Sequence, residues 1–267
     1  MPSLLSNRLA KRVLKPAFTL VEQRLERATT ALQSDLDALH HEVADLRRQS
    51  YGLGLLLDQS GRDGHRMPTA AQVETLVREV RAVTGDRGER VRQGVTVAYR
   101  HLVALEALGA GGFAGSVSEV CGRLTTVPLL APPNGEVLEL GTLHGLFAAA
   151  LRRMLQREGL EARLTIVDRL DGSPARADVV RANLALGGSC SADEARVVRG
   201  RFGEPDVQER LADRRYGVIV VNGDHDLTAV RELAAPGAVV VLGTGQQRTA
   251  GLTGLGRVAD SAYCRVV

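Results

Sequence analysis

Between Glu136 and Leu242 short apolar runs alternate with helical stretches, and this alternation constrains the fold more than any other feature of the chain. The strand-like runs are Glu136–Leu140, Leu164–Asp168, Ala195–Arg199, Gly217–Val221 and Ala238–Leu242. Between them Leu146–Arg157, Ala175–Ala185, Asp206–Asp213 and Thr228–Ala234 read as helices, the last one short. The pattern predicts an α/β architecture, an open and largely parallel sheet with helices on both faces. Gly256–Ala259 and Tyr263–Val267 suggest a closing hairpin. Ligands of such sheets bind beyond the carboxyl ends of the strands. The tips that matter are therefore Glu139-Leu140-Gly141, Asp168, Arg199-Gly200-Arg201, Asn222-Gly223-Asp224-His225 and Gly243-Thr244.

The first tip is the most informative. Val137–Leu140 ends beside an acid, Glu139, and runs into Gly141-Thr142-Leu143-His144-Gly145 before a helix begins. A glycine turn of this kind lets backbone approach a ligand closely, and the helix N-terminus behind it attracts polar or anionic groups. It also serves as a plain structural bend. The second strand ends in Asp168, 23 residues after Gly145. An acid at that tip is placed to hold ribose hydroxyls. The turn is Gly-x-x-x-Gly, not Gly-x-Gly-x-x-Gly, which disfavours a nicotinamide-dependent oxidoreductase.

Over about half the chain, from Glu136 to the end, this ordered set of motifs resembles the class I S-adenosylmethionine-dependent methyltransferases. That family's first motif reads acid-x-Gly-x-x-x-Gly, as Glu139-Leu-Gly141-Thr-Leu-His-Gly145 does here. Asp168 matches its ribose-binding acid, and Pro236-Gly237-Ala-Val-Val-Val-Leu is similar to its fifth strand. The Asn222-Gly223-Asp224-His225 tip resembles that of the macrocin/mycinamicin-type sugar O-methyltransferases, which reads Asp-Gly-Asp-His. The resemblance implies a Rossmann-like sheet and S-adenosyl-L-methionine as cofactor. It implies Glu139, Gly141, Thr142, Gly145, Asp168 and Asn222 as cofactor-binding residues. The acceptor it implies is a hydroxyl on a sugar, a glycosylated natural product or an envelope glycan. Transfer to a hydroxyl needs in-line approach and a base. His225 is the best base candidate, because imidazole titrates near working pH. Asp224 is its partner. Both residues are equally placed to cap the short helix that follows.

Two departures bear on metal. The tip begins with Asn222 where metal-dependent relatives have Asp, and Gly243-Thr244-Gly245 follows the fifth strand in place of acids. A hard divalent cation wants several carboxylate oxygens, so no metal is expected. Arg201 likewise stands where many relatives carry an acid.

Residues 51–133 read as a helical linker or cap before the domain of residues 134–267. Tyr51–Met67 reads as a loop with four glycines. Thr69 is a plausible cap for a helix with Val73, Leu76, Val77 and Val80 inward. Val91–Leu108 reads as a second helix with Val95, Ala98, Leu102, Leu105 and Leu108 inward. Gly109–Gly115 is a glycine-rich bend, and Val117–Leu130 a last helix or loop.

Residues 1–50 form a third region. Apolar positions Phe18, Val21, Leu25, Ala28, Leu32, Leu36, Leu39, Val43 and Leu46 follow 3 and 4 spacing with one slip at Leu32–Leu36. This is a coiled-coil pattern with a stutter, and it predicts a homo-oligomer. A single helix packed along its own domain has the same pattern. Residues 1–15 hold both lysines, Lys11 and Lys15, beside Arg8 and Arg12. With the interleaved leucines they suit peripheral contact with an anionic membrane.

Composition closes off other classes. Aromatics make up 3% and Trp is absent, so stacking platforms for nucleic acid are not expected. The net charge of +3 is too small to argue nucleic-acid binding. Three scattered cysteines suit a reducing cytoplasm. No run is long enough to span a bilayer, and the N-terminus lacks the apolar core of a secretory leader. A second reading stands beside the enzyme: a catalytically silent, methyltransferase-like scaffold that oligomerises through its N-terminal helix.

Overall fold

A computed structural model describes residues 22–40, 42–43, 68–86, 88–170, 174–188, 195–243 and 251–267. The basic arm of residues 1–16 and the loop of residues 51–67 lie outside them. The chain divides into two units, residues 1–47 and 48–267. In the first, helix α1 covers residues 22–40 and 42–43. Its stripe of Leu25, Leu32, Leu36, Leu39 and Val43 is exposed. Among the described residues no helix is long and apolar enough to cross a membrane.

The second unit begins with three helices, α2 (Ala70–Thr84), α3 (Arg90–Leu108) and α4 (Val117–Leu129). Then β1 (Glu136–Leu140), α5 (Leu146–Arg157), β2 (Arg163–Asp168), α6 (Pro174–Ala185) and β3 (Ala195–Arg199) follow in alternation. The series continues with α7 (Pro205–Leu211), β4 (Tyr216–Val221), α8 (Leu227–Leu233) and β5 (Ala234–Leu242), and ends with β6 (Leu252–Val258) and β7 (Ser261–Val266). One seven-stranded sheet runs in the order β3-β2-β1-β4-β5-β7-β6. The pairings from β3 through β5 are parallel, and β7 joins β5 and β6 antiparallel. The chain direction across the sheet reverses between β1 and β4. Crevices for ligands open at such a switch point.

Strand periodicity splits the core into two layers. On β4, Val218 and Val220 join a cluster with α2 to α6, including Leu76, Leu102, Leu124 and Leu151. Ile219 and Val221 point the other way, into a cluster with Val207 and Leu211 of α7 and Val230 of α8. On β5, Val239 and Val241 face the first cluster, and Val240 and Leu242 the second. Each fully buried Leu or Val contributes about 1.5–3 kcal/mol. The helices before β1 therefore form part of one face of the sheet. Thr69 and Gln72 close a capping box at the start of α2.

Three expectations need correction. Leu108 is 62% exposed, not inward. Helix α3 ends there, and Gly109 takes the inner position, where a Cβ would lie 2.5 Å from Leu146 Cδ2. Strand β5 starts at Ala234, because Ala234 pairs with Tyr216 across an irregular step ahead of Val218–Val239. The closing hairpin is longer than its glycines suggest, and β6 starts at Leu252.

Candidate functional site

The glycine turn after β1 is tied to the tip of β2. Gly141, at φ 76°, donates its N–H to Val167 O at 2.8 Å. A Cβ on Gly141 would lie 3.0 Å from Asn222 O, so the close approach of β1 and β4 requires glycine. The Thr142 N–H donates to Asp168 Oδ2 at 2.8 Å, and the Leu170 N–H donates to Asp168 Oδ1 at 2.8 Å. Thr142 Oγ1 accepts from the Gly145 N–H at 3.1 Å. Gly145, at φ 80°, starts α5. The acid and the glycine bend, far apart in sequence, thus form one hydrogen-bonded floor.

Asn222, just past β4, extends that floor. Its Nδ2 donates to Gly141 O at 2.8 Å and to Glu139 Oε1 at 3.4 Å. Its Oδ1 accepts from Arg123 Nη1 at 2.8 Å. Arg123 arrives from α4 and is buried. Its Nε donates to Ser261 Oγ at 2.6 Å, and its Nη2 to Glu119 Oε1 at 2.5 Å. Sequence reasoning missed Arg123. The only local signal is a Glu119–Arg123 pair at helical spacing, and such pairs are common on surfaces.

Glu139 lies beneath this network and is buried. Burial pushes its carboxyl up to about 8; the Thr142 hydroxyl, Arg123 and Asn222 pull the other way, and Asp168 adds to the rise. Its Oε2 has no hydrogen-bond partner in the protein. A buried oxygen of this kind costs about 1–3 kcal/mol unless something supplies a donor.

Two cavities open over the floor. The first, about 390 Å³, is lined by Arg123, Glu139, Thr142, His144, Phe113 and Phe147 among others. The second, about 970 Å³, is lined by Arg201, Phe202, Gln208, Asp224 and His225 among others. Gly141, Asp168, Asn222 and Gly223 line both. The glycine-rich bend before α4 walls the first cavity, where Gly112 O accepts from His144 Nδ1 at 3.2 Å. Asn183 of α6 holds that bend, exchanging hydrogen bonds with Ala110 N and Ala110 O at 2.9 and 2.8 Å. In the sequence Asn183 reads only as part of a helix, with no role assigned to it.

His225 and Asp224 line the second cavity. His225 Nε2 donates to Asn222 O at 3.0 Å, which leaves Nδ1 as the acceptor of the ring. The ring packs edge-on against Phe202 at 5.7 Å. Asp224 is exposed. Neither residue caps the next helix. Asp226 does so, its Oδ1 accepting from the Thr228 N–H at 2.9 Å. Among the described residues no group of three or more His, Cys, Asp or Glu is placed to hold a metal ion.

No curated protein matches the chain in sequence. Among solved structures, it is similar to an apo TDP-rhamnose 3′-O-methyltransferase of calicheamicin biosynthesis at 16% identity, covering 74% of this chain and 95% of that one, with a TM-score of 0.46. A Plasmodium falciparum protein described as a protein-L-isoaspartate O-methyltransferase, bound to S-adenosyl-L-homocysteine, is similar at 10% identity, over 67% of this chain and 85% of that one, with a TM-score of 0.44. An S-adenosylhomocysteine-bound methyltransferase of Podospora anserina is similar at 12% identity, over 58% and 61%, with a TM-score of 0.37. Residues 138–243, from β1 to the residue after β5, match the model of a family described as a methyltransferase domain.

Proposed function

We propose that this chain is an S-adenosylmethionine-dependent methyltransferase acting on a hydroxyl of a sugar, a glycosylated natural product or an envelope glycan. One observation carries the reading: the two cavities share the floor of Gly141, Asp168 and Asn222. The cofactor is a nucleoside and an amino acid joined at a sulfonium, and it needs two compartments over a common saddle. Asp168 suits ribose hydroxyls, because the Thr142 and Leu170 N–H groups fix its carboxylate at the tip of β2, where it lines both cavities. Phe202 offers a ring beside a nucleobase in the second cavity. Glu139 Oε2 faces the need of an ammonium group. When bound, the cofactor supplies an electrophilic methyl group. His225 Nδ1 then serves as the acceptor for the proton of the acceptor hydroxyl, with Asp224 beside it. The match over residues 138–243 supports the reaction class, and the Asn222–His225 tip supports a sugar-type hydroxyl.

The second reading, a silent scaffold, is favoured by the exposed apolar stripe of α1. Titration calorimetry with S-adenosylmethionine separates the two. The enzyme reading expects one site per chain and at least a tenfold loss of affinity in Asp168→Ala, as for a lost charge-assisted hydrogen bond. A flat titration of the native chain overturns it and leaves the scaffold.

A further inference from the structure

We propose that Arg123 is a positioning residue of the cofactor site: it fixes the Asn222 carboxamide toward Gly141 and Glu139, and so keeps Glu139 Oε2 as the acceptor for the cofactor's ammonium group. The inference rests on the cofactor reading above.

The geometry decides which way the carboxamide faces. On one side of Asn222 lie two acceptors, Gly141 O and Glu139 Oε1. On the other lies one donor, Arg123 Nη1. A reversed amide would set Oδ1 against both acceptors and its NH₂ against the guanidinium. Arg123 thereby orients a side chain 99 residues away in sequence. Its own direction is set by Ser261 Oγ of β7 and Glu119 Oε1 one helical turn back. A planar fork with donors on three sides can serve all three partners at once, and an ammonium cannot.

The same guanidinium acts on Glu139 through space. The charged and titratable groups around the pair are Glu119 on α4, Asp168 on β2 and Tyr263 on β7. Glu119 pairs with Arg123 directly. Asp168 holds the Glu139 carboxyl up, and Arg123 lowers it. Tyr263 is buried, which raises its hydroxyl and keeps it neutral. Removing the positive charge therefore favours protonated Glu139, which binds a cation poorly. Two separable effects follow, one from the hydrogen bond to Asn222 and one from charge.

The experiment uses the full chain and two ligands. S-adenosylhomocysteine carries the ammonium group; 5′-methylthioadenosine lacks the amino acid. Both are titrated from pH 6 to 9 into native protein, Arg123→Gln and Arg123→Lys, with melting curves as a fold check. Arg123→Gln should weaken S-adenosylhomocysteine at least tenfold, change 5′-methylthioadenosine less than twofold, and move the pH midpoint of S-adenosylhomocysteine binding upward. Arg123→Lys should lose affinity while keeping the native midpoint. Equal losses for both ligands, or native behaviour in both variants, overturn the proposal. Should Arg123→Gln fail to fold, Arg123→Lys still discriminates, since only a positioning role spares 5′-methylthioadenosine. If the native chain binds neither ligand, the cofactor reading itself fails, an outcome distinct from binding that is indifferent to Arg123.

Discussion

Glu139 is a carboxyl kept from water, with Asn222 bonded to Oε1, the Thr142 hydroxyl bearing on the group, and no hydrogen bond formed by Oε2. Its folded value of about 8 lies above the ordinary 4.5. A raised carboxyl stabilises the fold fully below the unfolded value, and that contribution is lost as pH rises through the folded one. The window is therefore from about pH 4.5 to about 8, and the amount is on the order of a few kcal/mol. Glu139→Gln keeps the shape and removes the titration. Its melting temperature should equal that of the native chain near pH 4, and exceed it by a margin that grows up to about pH 8. Parallel melting curves across that range would contradict the burial argument. Of the residues on this floor, Glu139, Gly141, Thr142, Asp168 and Asn222 were legible in sequence, because each sits at a strand tip. Arg123 was not. Its role depends on a contact across 99 residues, and nothing in the thirteen residues of α4 marks which polar side chain turns inward.

At the scale of elements, the alternating half was legible because the apolar runs of β1, β2 and β4 have nowhere to go but between two helical layers. The ends were less so. The apolar run of the fifth strand read as starting at Ala238, yet β5 runs from Ala234 through Pro236 and Gly237. Pairing with β4 overrides local preference there. The segment before α4 read only as a glycine-rich bend, and its place as a cavity wall depends on Asn183, 73 residues on from Ala110. Helix α1 poses the opposite case, a clear pattern with exposed leucines. We propose that it pairs with α1 of a second chain, since an isolated stripe of this length gains stability only when covered. A double variant, Leu32→Glu and Leu36→Glu, should convert a dimer or larger species to a monomer in sedimentation equilibrium, with S-adenosylmethionine affinity unchanged. A native chain that sediments as a monomer at tens of micromolar sinks the idea.

For the molecule as a whole, the helices of residues 70–129 and the sheet share one core, so the walls of the first cavity come from both. Sequence order pointed to the sheet and to its strand tips, but not to the reversal between β1 and β4 or to how the preceding helices close over it. Glu119, Arg123 and the bend at Gly112–Gly115 supply that closure. The central claim is that one ligand bridges the two cavities across Gly141 and Asn222. A crystal structure of the full chain with S-adenosylhomocysteine tests it most directly. The account predicts ribose hydroxyls within hydrogen-bond distance of Asp168, the base beside Phe202, and the amino group on Glu139 Oε2. A ligand confined to one cavity, or bound away from Asp168, would contradict it.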